Sequence, residues 1–165
     1  MKVLITTGIF PPDSGGPATY AAKLAEGLAE KGRAVEVVTM ADSESAKDGD
    51  DNFTVSRINR GNKISNYLRF FWALISRVRQ VDVVYSLNYF SYGFLTAVVS
   101  KLLRTPYVVR VGGGYLWEHF YLPDNEPLSL AEFYEQKLYT QYPFAFRVLR
   151  FVLSGANQVV FNSER

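Results

Sequence analysis

Short apolar runs alternate with helical patterns along the whole chain, and this alternation constrains the fold more than any other feature. Lys2–Thr7 (KVLITT), Ala34–Met40 (AVEVVTM), Phe53–Asn59, Val81–Ser86 (VDVVYS), Pro106–Val111 (PYVVRV) and Gln158–Phe161 read as strands. Several are continuous β-branched runs, the pattern of strands buried on both faces. Between them, residues 18–31 carry Ala21, Leu24, Ala25 and Leu28 on one helical stripe, and Gly32 supplies a stop. Residues 64–79, 90–104 and 128–154 are also helical, the last interrupted at Pro143. Residues 41–52 are polar, acidic and aperiodic, and read as a mobile loop. Strand–helix alternation predicts an α/β domain: a Rossmann-like open parallel sheet with helices on both faces, formed by residues 1–165 as one unit.

Composition narrows the functional classes. A chain of 165 residues can bury one sizeable core. It has no cysteine, which removes disulfides, thiolate metal sites and thiol nucleophiles. His119 is the only histidine and reads as non-catalytic. No metal site or cofactor is expected. The acidic pair Asp48-Gly49-Asp50 lies in the polar loop, away from the strand ends where such a sheet binds ligands. No apolar run approaches the ~20 residues that span a bilayer, and no secretory signal is read, so the expected compartment is the cytoplasm. The formal charge of +2, with no recognition-helix motif, ranks nucleic acid low as a partner.

The loops after strands one, four and five mark the site. Gly8–Gly16 is long against the ~2–6 residues usual for such a connection. Gly15 and Gly16 stand where a helix begins, with Pro17 in its first turn. Unpaired N–H groups and the helix dipole there favour a phosphate-like anion, although a plain tight turn would spell the same way. Neither GxGxxG nor a P-loop is present. After strand five come Gly112, Gly113 and Gly114, then Tyr115, Trp117 and Glu118. Trp117 reads either as a stacking platform for a sugar or base, or as a lid packed on the core. Glu118 is a hydrogen-bond acceptor or a solvated charge. Asn88 and Tyr89, after strand four, line the same cleft or cap the next helix.

The helix over 64–79 points to a second kind of contact. Ile64, Tyr67, Leu68, Phe71, Leu74, Ile75 and Val78 form its predicted core stripe, at ~100° per residue. Phe70 then falls outside that stripe beside Lys63 and Arg77, and Trp72 sits at its edge near Arg79. No acidic residue lies between Asp51 and Asp82, whereas Arg57, Arg60, Lys63, Arg69, Arg77 and Arg79 do. Basic residues among exposed aromatics suit an anionic bilayer surface, with Lys63, Arg69, Phe70, Trp72, Arg77 and Arg79 as the expected contacts. A similar cluster follows at Tyr139–Phe151, where Arg147 and Arg150 stand among Tyr142, Phe144, Phe146 and Phe151.

These residues carry a resemblance. Strand one, Gly8-Ile9-Phe10-Pro11-Pro12-Asp13-Ser14-Gly15-Gly16, the helix ending at Lys31-Gly32 and the strand Val35–Thr39 resemble the opening of a family 4 glycosyltransferase of the GT-B fold. Gly113, Tyr115, Trp117 and Glu118 resemble a Gly-Asp-x-x-Trp-Glu variant of its strand-five loop, with Gly114 in place of the aspartate. The histidine many members carry just after strand five is replaced by Gly112 and Gly113. The resemblance implies the acceptor-side half of a retaining enzyme that moves a sugar from a nucleotide diphosphate sugar to an acceptor hydroxyl. It implies that the Gly-Gly loop approaches the donor diphosphate, and that lipid-linked saccharides are frequent acceptors, at the inner face of the membrane. It also implies a C-terminal donor-binding half, with a paired-glutamate motif, outside these residues; this chain alone is then expected to be inactive. Two other readings remain: a stand-alone membrane-binding subunit that recruits a catalytic chain, and a flavodoxin-like small-molecule module.

Overall fold

The computed structural model describes residues 1–42, 52–123 and 128–162. The acidic pair at Asp48 and Asp50, and the helix start read at Ser163-Glu164, lie outside them. Six strands form one sheet: β1 (Lys2–Thr6), β2 (Ala34–Ala41), β3 (Thr54–Asn59), β4 (Val83–Ser86), β5 (Tyr107–Val111) and β6 (Gln158–Phe161). Their order is β3-β2-β1-β4-β5-β6, and every pairing is parallel. Strand order reverses direction between β1 and β4, so the crevice for a ligand opens above that pair. The order is the Rossmann one; a flavodoxin-like sheet runs 2-1-3-4-5.

The helices are α1 (Gly16–Glu30), α2 (Lys63–Val78), α3 (Ser91–Leu103), α4 (Leu130–Glu135) and α5 (Pro143–Gly155). Helices α2, α3 and α5 share one core with the sheet: Phe70, Leu74, Val78, Ala97, Val99 and Val152 pack with Leu4, Val38, Val84 and Val109. Helix α1 packs on the other face, where Ala21 and Ala25 meet Val3, Ile5, Val35 and Val37. Small alanines let α1 sit close to the strands. A third cluster, around Leu116, Phe133, Ala145 and Leu149, holds the region after β5. That region holds a π-helical turn at Trp117–Tyr121, then α4 and a 3-10 turn at Leu138–Gln141. The helical stretch over 128–154 is two helices, parted before Pro143 as its interruption there predicts, and α5 begins at Pro143, which needs no N–H partner in a first turn.

Helix α2 is rotated from the stripe expected of it. Phe70 is fully buried, its ring tilted against Tyr92 at 4.6 Å between centroids, while Ile64, Leu68 and Trp72 are exposed. The reason is Arg77. Its guanidinium donates to Glu36 of β2 at 2.6 Å and to Ser56 of β3 at 2.7 Å. The apolar arc of α2 covers about 200° of the helix, at ~100° per residue. More of it is apolar than one sheet can cover, and the Arg77–Glu36 pair selects the part that turns inward. Phe70 and Arg77 are therefore not bilayer contacts: one fills the core and the other is neutralised against the sheet.

Candidate active site

The β1 loop lies down over the ends of β2 and β3 and is held there by two arginines. Arg60 donates to Asp13 at 2.6 Å and to Asp42 at 2.7 Å, and its pKa is raised chiefly by the Asp13 bond. Arg57 donates to the Pro11 carbonyl and lies over the Phe10 ring, itself buried. Two of the six basic residues read as surface cations thus position the glycine loop.

Three strand-end loops are then tied into one rim. Asn88 Oδ1 accepts the Gly8 N–H at 2.8 Å, joining the β1 and β4 loops across the switch point. Ser86 Oγ donates to the Asn88 carbonyl at 2.7 Å. Tyr89 donates to the Gly113 carbonyl at 2.6 Å and accepts the Tyr115 N–H at 3.0 Å, joining the β4 and β5 loops. Burial pushes the Tyr89 phenol up to about 12, so it stays protonated as that donor. Asn162 Nδ2 donates to the Gly112 carbonyl at 3.1 Å, adding the end of β6.

A cleft of about 800 Å³ opens inside this rim. One wall is the start of α1. Gly15 has φ 143° and ψ 158°, a conformation essentially confined to glycine, and no side chain caps the helix. Pro17 has no N–H, Thr19 N is bonded to Gly15 O at 3.1 Å and Ala18 is buried, so the Gly16 N–H is the one left facing the cleft at the helix mouth. A Cβ built on Gly16 meets nothing within 4 Å. The opposite wall carries Gly112, Gly113, Tyr115, Glu118 and His119. Tyr115 is sandwiched between Phe90 at 4.4 Å and His119 at 4.2 Å. Two cations face the space: Lys23 of α1, and Arg110 of β5, whose guanidinium lies 4.0 Å above the Tyr20 ring. Beneath, Tyr20 and Tyr85 share a 3.2 Å hydrogen bond, and burial raises the Tyr85 pKa. An uncapped helix start with nearby cations and flat aromatic faces suits an anionic ligand that also carries a ring.

The family described as "Glycosyl transferase 4-like domain" matches residues 15–165. The chain belongs to that family. The GT-B likeness read from the first strand and its loop is borne out. No curated protein matches the sequence significantly. Among solved structures, UDP-GlcNAc 2-epimerase from Methanocaldococcus jannaschii superposes with TM-score 0.62 at 9% identity, over 99% of this chain and 40% of that one. Anabaena Alr3699/HepE, solved with UDP, gives TM-score 0.59 at 16% identity, over 99% of this chain and 38% of that one. Arabidopsis thaliana UGT89C1, also solved with UDP, gives 0.56 at 10% identity, over 99% and 45%. These are likenesses of fold, and this chain spans about two fifths of such structures.

Within the glycosyl transferase 4-like domain, Gly16, Asn88, Gly112, Gly113 and Glu118 line the cleft as the loop reading expects, and Gly15 caps the helix beside it. Glu118 is exposed at the cleft and is the hydrogen-bond acceptor of the two readings: it accepts the Gly114 N–H at 3.1 Å and closes the turn that shapes the wall. Trp117 and Gly114 are corrections. The Trp117 indole donates to Leu128 O at 2.7 Å and packs in the third cluster, and neither residue lines the cleft. Gly114 is buried under Leu130, where a Cβ would lie 2.3 Å from Cδ1. Tyr20, Lys23, Arg110, Tyr115 and His119 were not singled out as cleft residues by the sequence. Tyr20, Lys23 and Arg110 sit mid-helix or mid-strand, where only their period marks them, and which side the period faces is set by the sheet. Among the described residues, no group of three or more His, Asp and Glu is placed to hold a metal ion.

Proposed function

We propose that this domain is the acceptor-side half of a retaining glycosyltransferase that moves a sugar from a nucleotide diphosphate sugar to a hydroxyl of a lipid-linked saccharide at the inner face of the membrane. The observation that carries the reading is the uncapped start of α1 at the β1–β4 switch, open to a cleft that also holds Lys23 and Arg110. Family membership supports glycosyl transfer, and UDP in the HepE and UGT89C1 structures supports a nucleotide donor. No resident cofactor is part of this reading; the donor is a co-substrate.

In the transfer, the bond from the anomeric carbon to the diphosphate oxygen breaks. A bond from that carbon to the acceptor oxygen forms, and the acceptor proton passes to the departing diphosphate oxygen. Negative charge grows on the departing diphosphate, where the Gly16 N–H and the α1 dipole stabilise it. Tyr115, its ring stacked against Phe90 and His119, is a fixed part of the wall and meets a sugar at its phenol edge. Residues 1–165 supply the acceptor wall, and the donor's nucleoside is held by a second, donor-binding domain.

The test uses the full-length protein with a panel of UDP-, GDP- and dTDP-sugars and a lipid-linked saccharide extract, following nucleotide release and product anomer by NMR. The expected result is acceptor-dependent release from one donor, with the anomeric configuration kept. Release without any acceptor dependence, or no donor consumed, overturns the proposal; an inverted product overturns its retaining part.

A further inference from the structure

Helices α2, α3 and α5 lie side by side on one face of the sheet, and none of them contains an aspartate or glutamate. Helix α1, on the other face, carries Glu26 and Glu30. The outer surface of the three-helix layer exposes Lys63, Arg69, Lys101, Arg147 and Arg150. Among these cations stand Ile64, Leu68, Trp72, Phe94, Phe144 and Phe151, all exposed, with Trp72 at 65% and Phe144 at 76%. Five of them form two groups, and Phe144 stands at the start of α5. Ile64, Leu68 and Trp72 make an i, i+4, i+8 ridge along α2, and with Arg69 they line one open hollow. Phe94 of α3 and Phe151 of α5 meet at 5.7 Å, and Lys101 lies 4.1 Å above the Phe151 ring. Tyr142 and Phe146, by contrast, turn inward onto Phe120 and Tyr139, so the outward phenylalanines of α5 are not an overflow of the core. Among the described residues, acidic side chains lie outside these three helices, as at Asp82 and on α4 at Glu132 and Glu135.

We propose that the α2–α3–α5 layer is a single docking surface for an anionic lipid bilayer, and that it sets the cleft at the membrane's edge. Two apolar groups on one helical layer, set among cations and without one carboxylate on those helices, complement acidic headgroups over an acyl interior. In a parallel sheet each crossover helix starts at the carboxyl end of the preceding strand, which is the cleft end. Ile64, Phe94 and Phe144 fall in the first turns of their helices, and Leu68 and Trp72 follow within the next two. The apolar contacts are thus weighted toward the cleft end, and the bound domain tilts its strand-end loops toward the lipid. An acceptor saccharide held on a lipid then reaches the cleft without leaving the bilayer. The tilt rests on the proposed function for its purpose; the surface itself does not.

The test is co-sedimentation of the full-length protein with vesicles of phosphatidylglycerol and phosphatidylcholine, or of phosphatidylcholine alone. Binding to the anionic vesicles is expected to be at least about tenfold stronger and to fall with added salt. Trp72→Ser with Phe144→Ser, and separately Arg147→Glu with Arg150→Glu, are each expected to lower it about tenfold, while Lys31→Glu at the end of α1 leaves it unchanged. Circular dichroism of each variant checks folding. Brominated acyl chains are expected to quench the indole of Trp72, and Trp72→Phe to abolish that quenching. Equal recovery on both vesicle types, or quenching that survives Trp72→Phe, overturns the proposal. Self-association in solution that the Trp72 and Phe144 changes abolish, without vesicle binding, assigns the face to a second copy instead and also overturns it. Nucleotide release from soluble donor is read separately, so failure of docking and failure of transfer are distinguishable.

Discussion

Asn88 and Gly8 are far apart in sequence, yet the Asn88 carboxamide oxygen accepts the Gly8 N–H at 2.8 Å and so bridges the two strands between which the sheet reverses direction. Replacing Asn88 with alanine leaves that part-buried N–H without its partner. The expected cost is about 1–3 kcal/mol of stability, read from urea unfolding, together with a loss of donor turnover in the full-length protein. Asn88→Asp keeps an acceptor oxygen at the same place and is expected to recover most of the stability.

Gly15 and Gly16 separate conformation from ligand contact. Gly15→Ala forces a side chain onto φ 143° and is expected to cost about 1–3 kcal/mol, seen as a lower thermal midpoint. Gly16→Asp meets no neighbour within 4 Å, and a carboxylate in the first turn favours the α1 dipole, so the fold is expected to be as stable as the parent or slightly more so. The same carboxylate repels a diphosphate. Donor affinity is expected to fall by about tenfold or more, measured by calorimetry on the full-length protein. Unchanged donor affinity would make the Gly-Gly pair a turn and nothing else.

Two close approaches of glycine predict different penalties. A Cβ on Gly93 lies 2.0 Å from the Asn88 carbonyl oxygen, a backbone atom that cannot step aside without moving the β4 loop. Gly93→Ala is expected to destabilise by about 2 kcal/mol or more. A Cβ on Gly113 lies 2.2 Å from the end of the Glu118 side chain, which can swing away. Gly113→Ala is expected to cost only about the lost Glu118–Gly114 bond, roughly 1 kcal/mol. Paired with Glu118→Ala it should show no further loss, a double-mutant cycle that unfolding curves can close.

Alkaline pH should loosen the domain. Burial raises both Tyr89 and Tyr107 from their ordinary value to about 12. Their protonated forms are favoured in the folded state, so this contribution is complete below about pH 10 and is lost as pH rises through about 12. Urea midpoints are expected to be flat from pH 8 to about 10 and then to fall. Tyr107 is buried and donates to the Val152 carbonyl at 2.7 Å, so Tyr107→Phe should lower stability at neutral pH and make the alkaline decline shallower.

Arg60 serves as the test of how the glycine loop is held. Its bonds to Asp13 and Asp42 join the β1 loop to the end of β2. Arg60→Met keeps bulk and removes both bonds. It is expected to raise the protease sensitivity of the segment around Asp13 and to weaken donor binding, with a smaller effect on the global unfolding midpoint.

Much of this was legible in the residues. The β-branched runs at Lys2–Thr6 and Ala34–Ala41, and the helix starting beside Pro17, depend on steric and hydrogen-bonding preferences that act over a few residues. They fixed the parallel sheet and the loops that rim the cleft, and Gly16, Asn88, Gly112 and Gly113 followed from where strands end. What the tertiary structure alone decided was direction. Phe70 and Trp72 are both aromatic and two positions apart; one is buried because Arg77 found Glu36 on a strand far away in sequence, and the other was turned out by the same rotation. Trp117 found Leu128, and Glu118 found Gly114, so one left the cleft and the other became its brace. Local preference determines which element forms, but the side an element shows is set by the partner that neutralises its charges and fills its volume, and that partner is known only once the chain has folded.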